Sequence, residues 1–338
     1  MSGRFSVRAP GRVNLIGDHT DYTGGLVLPM AIDRWTVIEG HHRDGSIELS
    51  SDDEPEPLTL ELPVNNAASV EPRWGRYVAG VAAEMGADVL PLRGHITTTI
   101  PVGAGLSSSA ALELSVALAF GFEGDALALA QLGRRAEHRA SGVPCGIMDQ
   151  LVIAAAVDGH ALLIDCGELT VEPIVIPDSA EVVVQFVTHR TLVGSEYADR
   201  VAECATAEQL IGPLRTATVL DVAQIVDPII RQRARHVVSE NQRVREFATA
   251  LRSGDLVSAG RLMIESHDSL RDDFATSTTA MNQAVEQLCA TPGVHGARMT
   301  GGGFGGCVVA VAEPGVLTQG WIVHAVGGAT RTSWPQAH

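Results

Sequence analysis

Three glycine-bearing segments constrain what this chain can become, because each sets permissive backbone between residues patterned as regular structure. The most informative runs Pro101-Val102-Gly103-Ala104-Gly105-Leu106-Ser107-Ser108-Ser109-Ala110-Ala111. It follows an alternating, strand-like run, His95–Ile100, and opens an Ala/Leu-rich stretch, Ser107–Phe120, patterned as a helix. Glycine permits the unusual turn and a close backbone approach. The helix beyond it would offer free N–H groups and a positive dipole end, a good seat for phosphate oxygens. The same pattern also serves an ordinary strand–turn–helix joint capped by serine.

The second segment is Arg298-Met299-Thr300-Gly301-Gly302-Gly303-Phe304-Gly305-Gly306-Cys307, between two strand-like runs, Ala297–Thr300 and Cys307–Ala312. Five glycines in six positions exceed what a hairpin needs. Since glycine costs backbone entropy, close approach to a ligand or another loop is the expected compensation. The third segment, Pro10 to Gly25, holds Arg12, Asp18, His19, Asp21 and Tyr22 between glycine turns and apolar flanks. Such a density of hydrogen-bonding groups suits a polyhydroxy ligand. Asp18, His19 and Asp21 also read as metal ligands, and any one of these residues alone as part of a solvated loop.

Composition narrows the partners. The 338 residues are 45% hydrophobic and 19% charged, enough for a large core in one or two domains. A formal charge of −16 argues against nucleic acid, which requires a basic stripe. It leaves room for one nucleotide, met locally by amide groups and a metal ion. All 24 basic residues are arginine, so neither a Walker-type lysine loop nor a lysine base is available. Five scattered cysteines with no CxxC pair suggest reduced thiols and a cytoplasmic location. No apolar run reaches membrane-spanning length, so no membrane partner is expected. Strand-like and helical runs mix up to about Thr188; beyond it the pattern is mainly helical. The expected organisation is two α/β lobes, residues 1–185 and 186–338.

Together the three segments resemble the galactokinase branch of the GHMP kinase superfamily. Arg12 through Pro29 is similar to the galactokinase signature, Pro101–Glu113 to the superfamily phosphate loop, and Arg298–Cys307 to its third motif. Cys145-Gly146-Ile147-Met148-Asp149-Gln150 is similar to the segment carrying the family's catalytic aspartate. Ser195-Glu196-Tyr197 and the stretch from Arg235 to Phe274 also match, so the likeness runs from Ala9 to about Ala312. It implies an α/β (α+β) fold in the two-domain GHMP architecture. The N-terminal lobe would be like ribosomal protein S5 domain 2, and the C-terminal lobe ferredoxin-like with extra helices. It implies transfer of phosphate from ATP, with Mg²⁺, to the anomeric hydroxyl of galactose. Arg12 and Asp149 would act on the chemistry. Asp18, His19, Asp21 and Tyr197 would read the sugar. Trp74, Gly103, Gly105, Ser107, Ser108, Ser109, Gly301, Gly302 and Gly303 would surround ATP, with Ser109 and Glu137 near the metal.

Such parts suit phosphoryl transfer, which depends chiefly on in-line positioning and charge stabilisation. Two departures stand out. The family usually has Glu-His-x-Asp where this chain has Asp18-His19-Thr20-Asp21, one methylene shorter at its first carboxylate. The likeness also fades after Ala312. Alternative readings are a 1-kinase for a related sugar, arabinose or N-acetylgalactosamine, and a non-catalytic sugar sensor. The absence of lysine argues against a mevalonate kinase, and the intact serine loop against the sensor.

Overall fold

A computed structural model describes residues 4–101, 103–189 and 195–334, with the side chains of Ser195 and Trp334 left aside. Val102 of the phosphate-loop motif lies outside the described residues. The first lobe is a six-stranded sheet covered by helices. Its strands are β1 (Arg4–Asn14), β3 (Pro29–His42), β4 (Ile47–Ser51), β5 (Leu58–Leu60), β6 (Leu92–Thr98) and β13 (Thr330–Trp334), in the order β13-β1-β3-β6-β4-β5. β4 and β6 run parallel; the other neighbours are antiparallel.

Helices α2 (Ser108–Ala119) and α4 (Met148–Ala155) pack on β1 and β3, and α1 (Gly75–Met85) and α3 (Ala126–Ser141) lie against α2. The Ala-rich sequence of α2 lets it sit close under the sheet; Ala110, Ala111, Leu114, Val116 and Ala117 are all fully buried. α3 begins at Asp125, whose side chain accepts from the Ala128 N–H, and stops at left-handed Gly142. A small sheet of β2 (Leu26–Val27), β7 (His160–Asp165) and β8 (Thr170–Val175) borders this lobe.

The second lobe carries the order β10-β11-β9-β12: β9 (Glu181–Thr188), β10 (Val294–Thr300), β11 (Gly306–Ala312) and β12 (Trp321–Val323). Valine and alanine fill β11, buried along its length, as a strand covered on both faces requires. α5 (Ser195–Ile211), α6 (Val219–Val222), α7 (Pro228–Ser253), α8 (Leu256–Asp272) and α9 (Thr279–Cys289) complete it. α7 starts with Pro228 behind an Asp227 cap and ends at left-handed Gly254.

The expected division at residue 185 falls inside β9, which pairs with β11, and β13 returns to pair with β1 of the first sheet. One apolar core runs through both lobes, from Phe5 and Val7 to Phe247, Met263 and Val309. A smaller one packs Cys204, Val237, Phe274 and Met299 behind α5 and α9.

Candidate active site

The lobes meet at a cleft of about 610 Å³. Arg12 reaches it from β1, which runs on through the first motif to Asn14 after a bulge at Pro10/Gly11. The guanidinium grips Asp149 with two parallel bonds, Nε to Oδ1 at 2.7 Å and Nη2 to Oδ2 at 2.7 Å. Its Nη1 donates to the Gly105 carbonyl at 2.6 Å, tying β1 to the phosphate-loop motif. Asp149 sits in the first turn of α4, where the macrodipole favours a carboxylate. Ser107 also donates to Asp149 Oδ2. Bidentate arginine–carboxylate geometry fixes direction as well as charge.

Ser107 caps α2 from the left-handed region, φ 61°, after left-handed Gly103 and Gly105. Ser107, Ser108 and Ser109 all line the cleft, so the N-terminus of α2 opens onto it. Ser109 Oγ donates to Glu137 Oε1 at 3.1 Å, and Gln150 Nε2 donates to Glu137 Oε2 at 2.6 Å. Cys145 and Glu137 also contact each other. Burial, followed by the charge of Asp149, raises the Glu137 carboxyl above its ordinary range. Behind it Glu113, wholly buried in α2, is pushed well up by burial and then by Glu137.

The sugar-signature residues crowd the other wall. His19, at φ 65°, pairs through Nδ1 with the Tyr22 hydroxyl at 3.0 Å, its ring against Tyr197 and Phe274. Asp21 lies under Gly146: a Cβ there would come within 1.9 Å of its Oδ2 and displace the Asp21 side chain. Burial, then the charge of Asp149, pushes Asp21 up to about 7. Asp18 is different. It borders the cleft, but its side chain is 2% exposed and engaged by Asn14, the Gly301 N–H and Arg298.

Gly301, Gly302 and Gly303 close the cleft from the β10–β11 turn, with Gly301, Gly303 and Phe304 left-handed. A Cβ on Gly303 would meet the Thr276 carbonyl at 2.6 Å. At the far end Trp74 and Tyr77 stand with Ile96, Leu112, Thr36 and Thr98; Trp74 Nε1 donates to the Glu56 carbonyl at 3.1 Å. Every candidate site residue therefore borders one cleft.

Several contributors carried no expected role. Gln150 orients Glu137, and Glu113 is the one charged residue of the Ala/Leu-rich helix α2, which was a readable signal. Helix α7 supports the sugar loop from beneath. Glu240 accepts the Gly17 N–H at 3.0 Å, Asn241 accepts the Leu26 N–H at 2.7 Å, and His236 Nε2 meets the Asp18 carbonyl at 3.1 Å. Their spacing, i, i+4 and i+5, marks one helix face, but nothing in sequence says that the face is buried.

A helix N-terminus that opens onto the cleft, a bidentate pair of buried Arg12 with part-exposed Asp149, and a glycine loop define a GHMP-type kinase cleft. Family models for the GHMP kinases N-terminal and C-terminal domains match residues 76–157 and 247–316. The galactokinase galactose-binding signature matches residues 2–41. The chain is 42% identical to a galactokinase of Chloroflexus aggregans, covering 96% of this chain and 88% of the relative. It is 43% identical to the human galactokinase, over 91% and 84%. A crystal structure of Lactococcus lactis galactokinase complexed with galactose superposes with a TM-score of 0.89 at 31% identity, covering 97% and 95% of the two chains. A mevalonate kinase structure shares the fold at 21% identity, TM-score 0.67, over 91% of each chain. The chain belongs to the galactokinase family, and it is a sugar kinase. Among the described residues no helix is long and apolar enough to cross a membrane.

Proposed function

We propose that this chain transfers the γ-phosphoryl group of ATP to the anomeric hydroxyl of galactose, with Asp149 and Arg12 at the reacting oxygen. The observation that carries this is the bidentate Arg12–Asp149 pair, held at the N-terminus of α2 between the sugar signature and the glycine loop. Galactose would lie against His19, Asp21 and Tyr197, with its anomeric hydroxyl at Asp149. The carboxylate takes or orients that proton, while Arg12 balances charge on the attacking oxygen and the moving phosphoryl group. The N–H groups of the α2 first turn and the Ser107–Ser109 hydroxyls receive phosphate oxygens. Trp74 and its apolar neighbours suit the adenine face.

The Ser109–Glu137 pair fits Mg²⁺. Both are hard oxygen donors 3.1 Å apart on the cleft wall, and the contacts of Glu137 there, Ser109, Gln150 and Cys145, are neutral groups. No group of three or more His, Cys, Asp or Glu side chains among the described residues could cage an ion alone. That agrees with a metal shared with substrate phosphates, as Mg²⁺ usually is. Bound there, Mg²⁺ would supply charge neutralisation on those phosphates.

The test is ADP release from MgATP on addition of galactose, in native protein and Asp149→Asn. The native chain should turn over galactose and stop on chelation. The variant should lose about 10²–10⁴-fold in kcat while calorimetry shows galactose still bound. No galactose-dependent ADP release, or a variant as fast as the native chain, would refute the assignment.

A further inference from the structure

Among the described residues Arg298 is the largest fully buried side chain, and it lies between two buried carboxylates. Its Nη2 is 2.7 Å from Asp18 Oδ2 and 3.8 Å from Glu240 Oε1. The other oxygen of Asp18 accepts from Asn14 Nδ2 at 3.0 Å and from the Gly301 N–H at 3.1 Å. Next to this, Asn14 N donates to Thr300 Oγ1 at 3.2 Å, and Thr300 Oγ1 donates to the Asn14 carbonyl at 2.9 Å. Strand β1, the sugar signature, helix α7 and the start of the glycine loop are thus tied through one dry polar junction. Gly301 adopts a left-handed turn, φ 81°, directly after its bond to Asp18.

We propose that Asp18 is a positioning residue for the nucleotide side of the site, clamping the Gly301–Gly303 loop in place with Arg298. This rests on the reading that the glycine loop faces ATP. A residue that only read sugar would present its oxygens to the cleft; here they face Asn14, Gly301 and Arg298, with the side chain 2% exposed. Losing the acceptor for the Gly301 N–H frees a segment whose glycines give it no stiffness of its own.

The experiment measures the affinity of a non-hydrolysable ATP analogue by calorimetry, without sugar, together with the melting temperature. Four proteins are compared: native, Asp18→Ala, Asp18→Asn and Asp18→Ala/Arg298→Met. Asp18→Ala should weaken nucleotide binding about tenfold, the range of one bond to a charged group. Asp18→Asn keeps an acceptor for the Gly301 N–H and should recover most of that affinity. The double variant leaves no unpaired buried ion, so its stability should return toward native while nucleotide binding stays weak. If Asp18→Ala does not fold, the double variant carries the comparison. Nucleotide affinity that is native in Asp18→Ala and in the double variant, or that recovers in the double variant in step with its melting temperature, overturns the clamp. A native chain that binds the analogue but ignores galactose would refute the sugar assignment and leave the clamp standing.

Discussion

Asp21 sits in the field of Asp149, packed on Gly146, and burial holds it up to about 7, close to a working pH. In the proposed role against galactose, Asp21 must be ionised to offer all its acceptor positions. The value of kcat/KM for galactose should therefore rise with pH through about 7, since that ratio reports the free enzyme. Asp21→Asn should flatten the limb; an unchanged limb would assign it to another group. The same shift bears on stability. The native carboxyl holds its proton up to about 7 and the unfolded one only to 3.8, so its contribution is full below 3.8 and is lost as pH rises through about 7. Asp21→Asn should thus gain about 1–2 kcal/mol over native at pH 8, relative to pH 4, after allowing for solvent screening of a part-exposed residue. Urea midpoints at the two pH values check it.

At the scale of elements, α7 and α8 carry the opposite dependence. Burial lowers His236 to about 4, and it lowers His267 to about 4 with help from Arg298. His236 bridges the Ser269 hydroxyl and the Asp18 carbonyl, and His267 Nδ1 accepts the Met299 N–H. Unfolded histidines take up protons near 6.5, so these two withdraw stability as pH falls from 6.5 toward 4. The shift at His236 alone corresponds to about 3 kcal/mol. His236→Gln, which cannot titrate, should shrink the difference in urea midpoint between pH 7 and pH 4.5; an equal difference would place the acid sensitivity elsewhere. Asp21 and these histidines oppose each other over one interval, so only single variants separate them.

These elements were unevenly legible. α2 and β11 lie within a residue of the helical run Ser107–Phe120 and the strand-like run Cys307–Ala312, whereas β6 and β10 each begin three residues before the runs His95–Ile100 and Ala297–Thr300. β1 runs through Pro10 and Gly11, residues that seldom continue a strand; a bulge absorbs them, and the strand carries Arg12 and Asn14 into the site. α4 went unseen as a helix because eight residues are too few to show a period. Short β5 and β12 exist through their partners rather than through any pattern of their own. The cleft lining was readable as motifs, whereas the Arg298 junction depends on which charges end up dry, a property of the packed molecule.

On the scale of the whole molecule, the chain's last described strand decides whether the lobes act as one body. β13 covers the outer edge of β1, from Arg8↔Thr330 to Arg4↔Trp334. The approach to it donates Val326 N–H to the Ala31 carbonyl and Ala329 N–H to that of Ile153, both in buried residues. Arg331 stacks over Phe5. A chain ending at His324 should lose these bonds and open β1 as an edge strand. Each carbonyl left without a partner costs about 1–3 kcal/mol, and the ladder bonds about 1 kcal/mol net each, a large part of the 5–15 kcal/mol a protein commands. The truncated chain should unfold at a clearly lower urea concentration and associate at micromolar concentration, as exposed edges do. Gly328→Ala tests the same seam without shortening the chain, since its Cβ would meet the Ala154 carbonyl at 2.6 Å. Because the main core is shared by both lobes, the native protein should lose its structure in a single transition, and Gly328→Ala should shift that transition without splitting it. Two separated transitions in the native chain, or a truncation with an unchanged midpoint, would mean that the lobes fold independently and that β13 merely decorates the first.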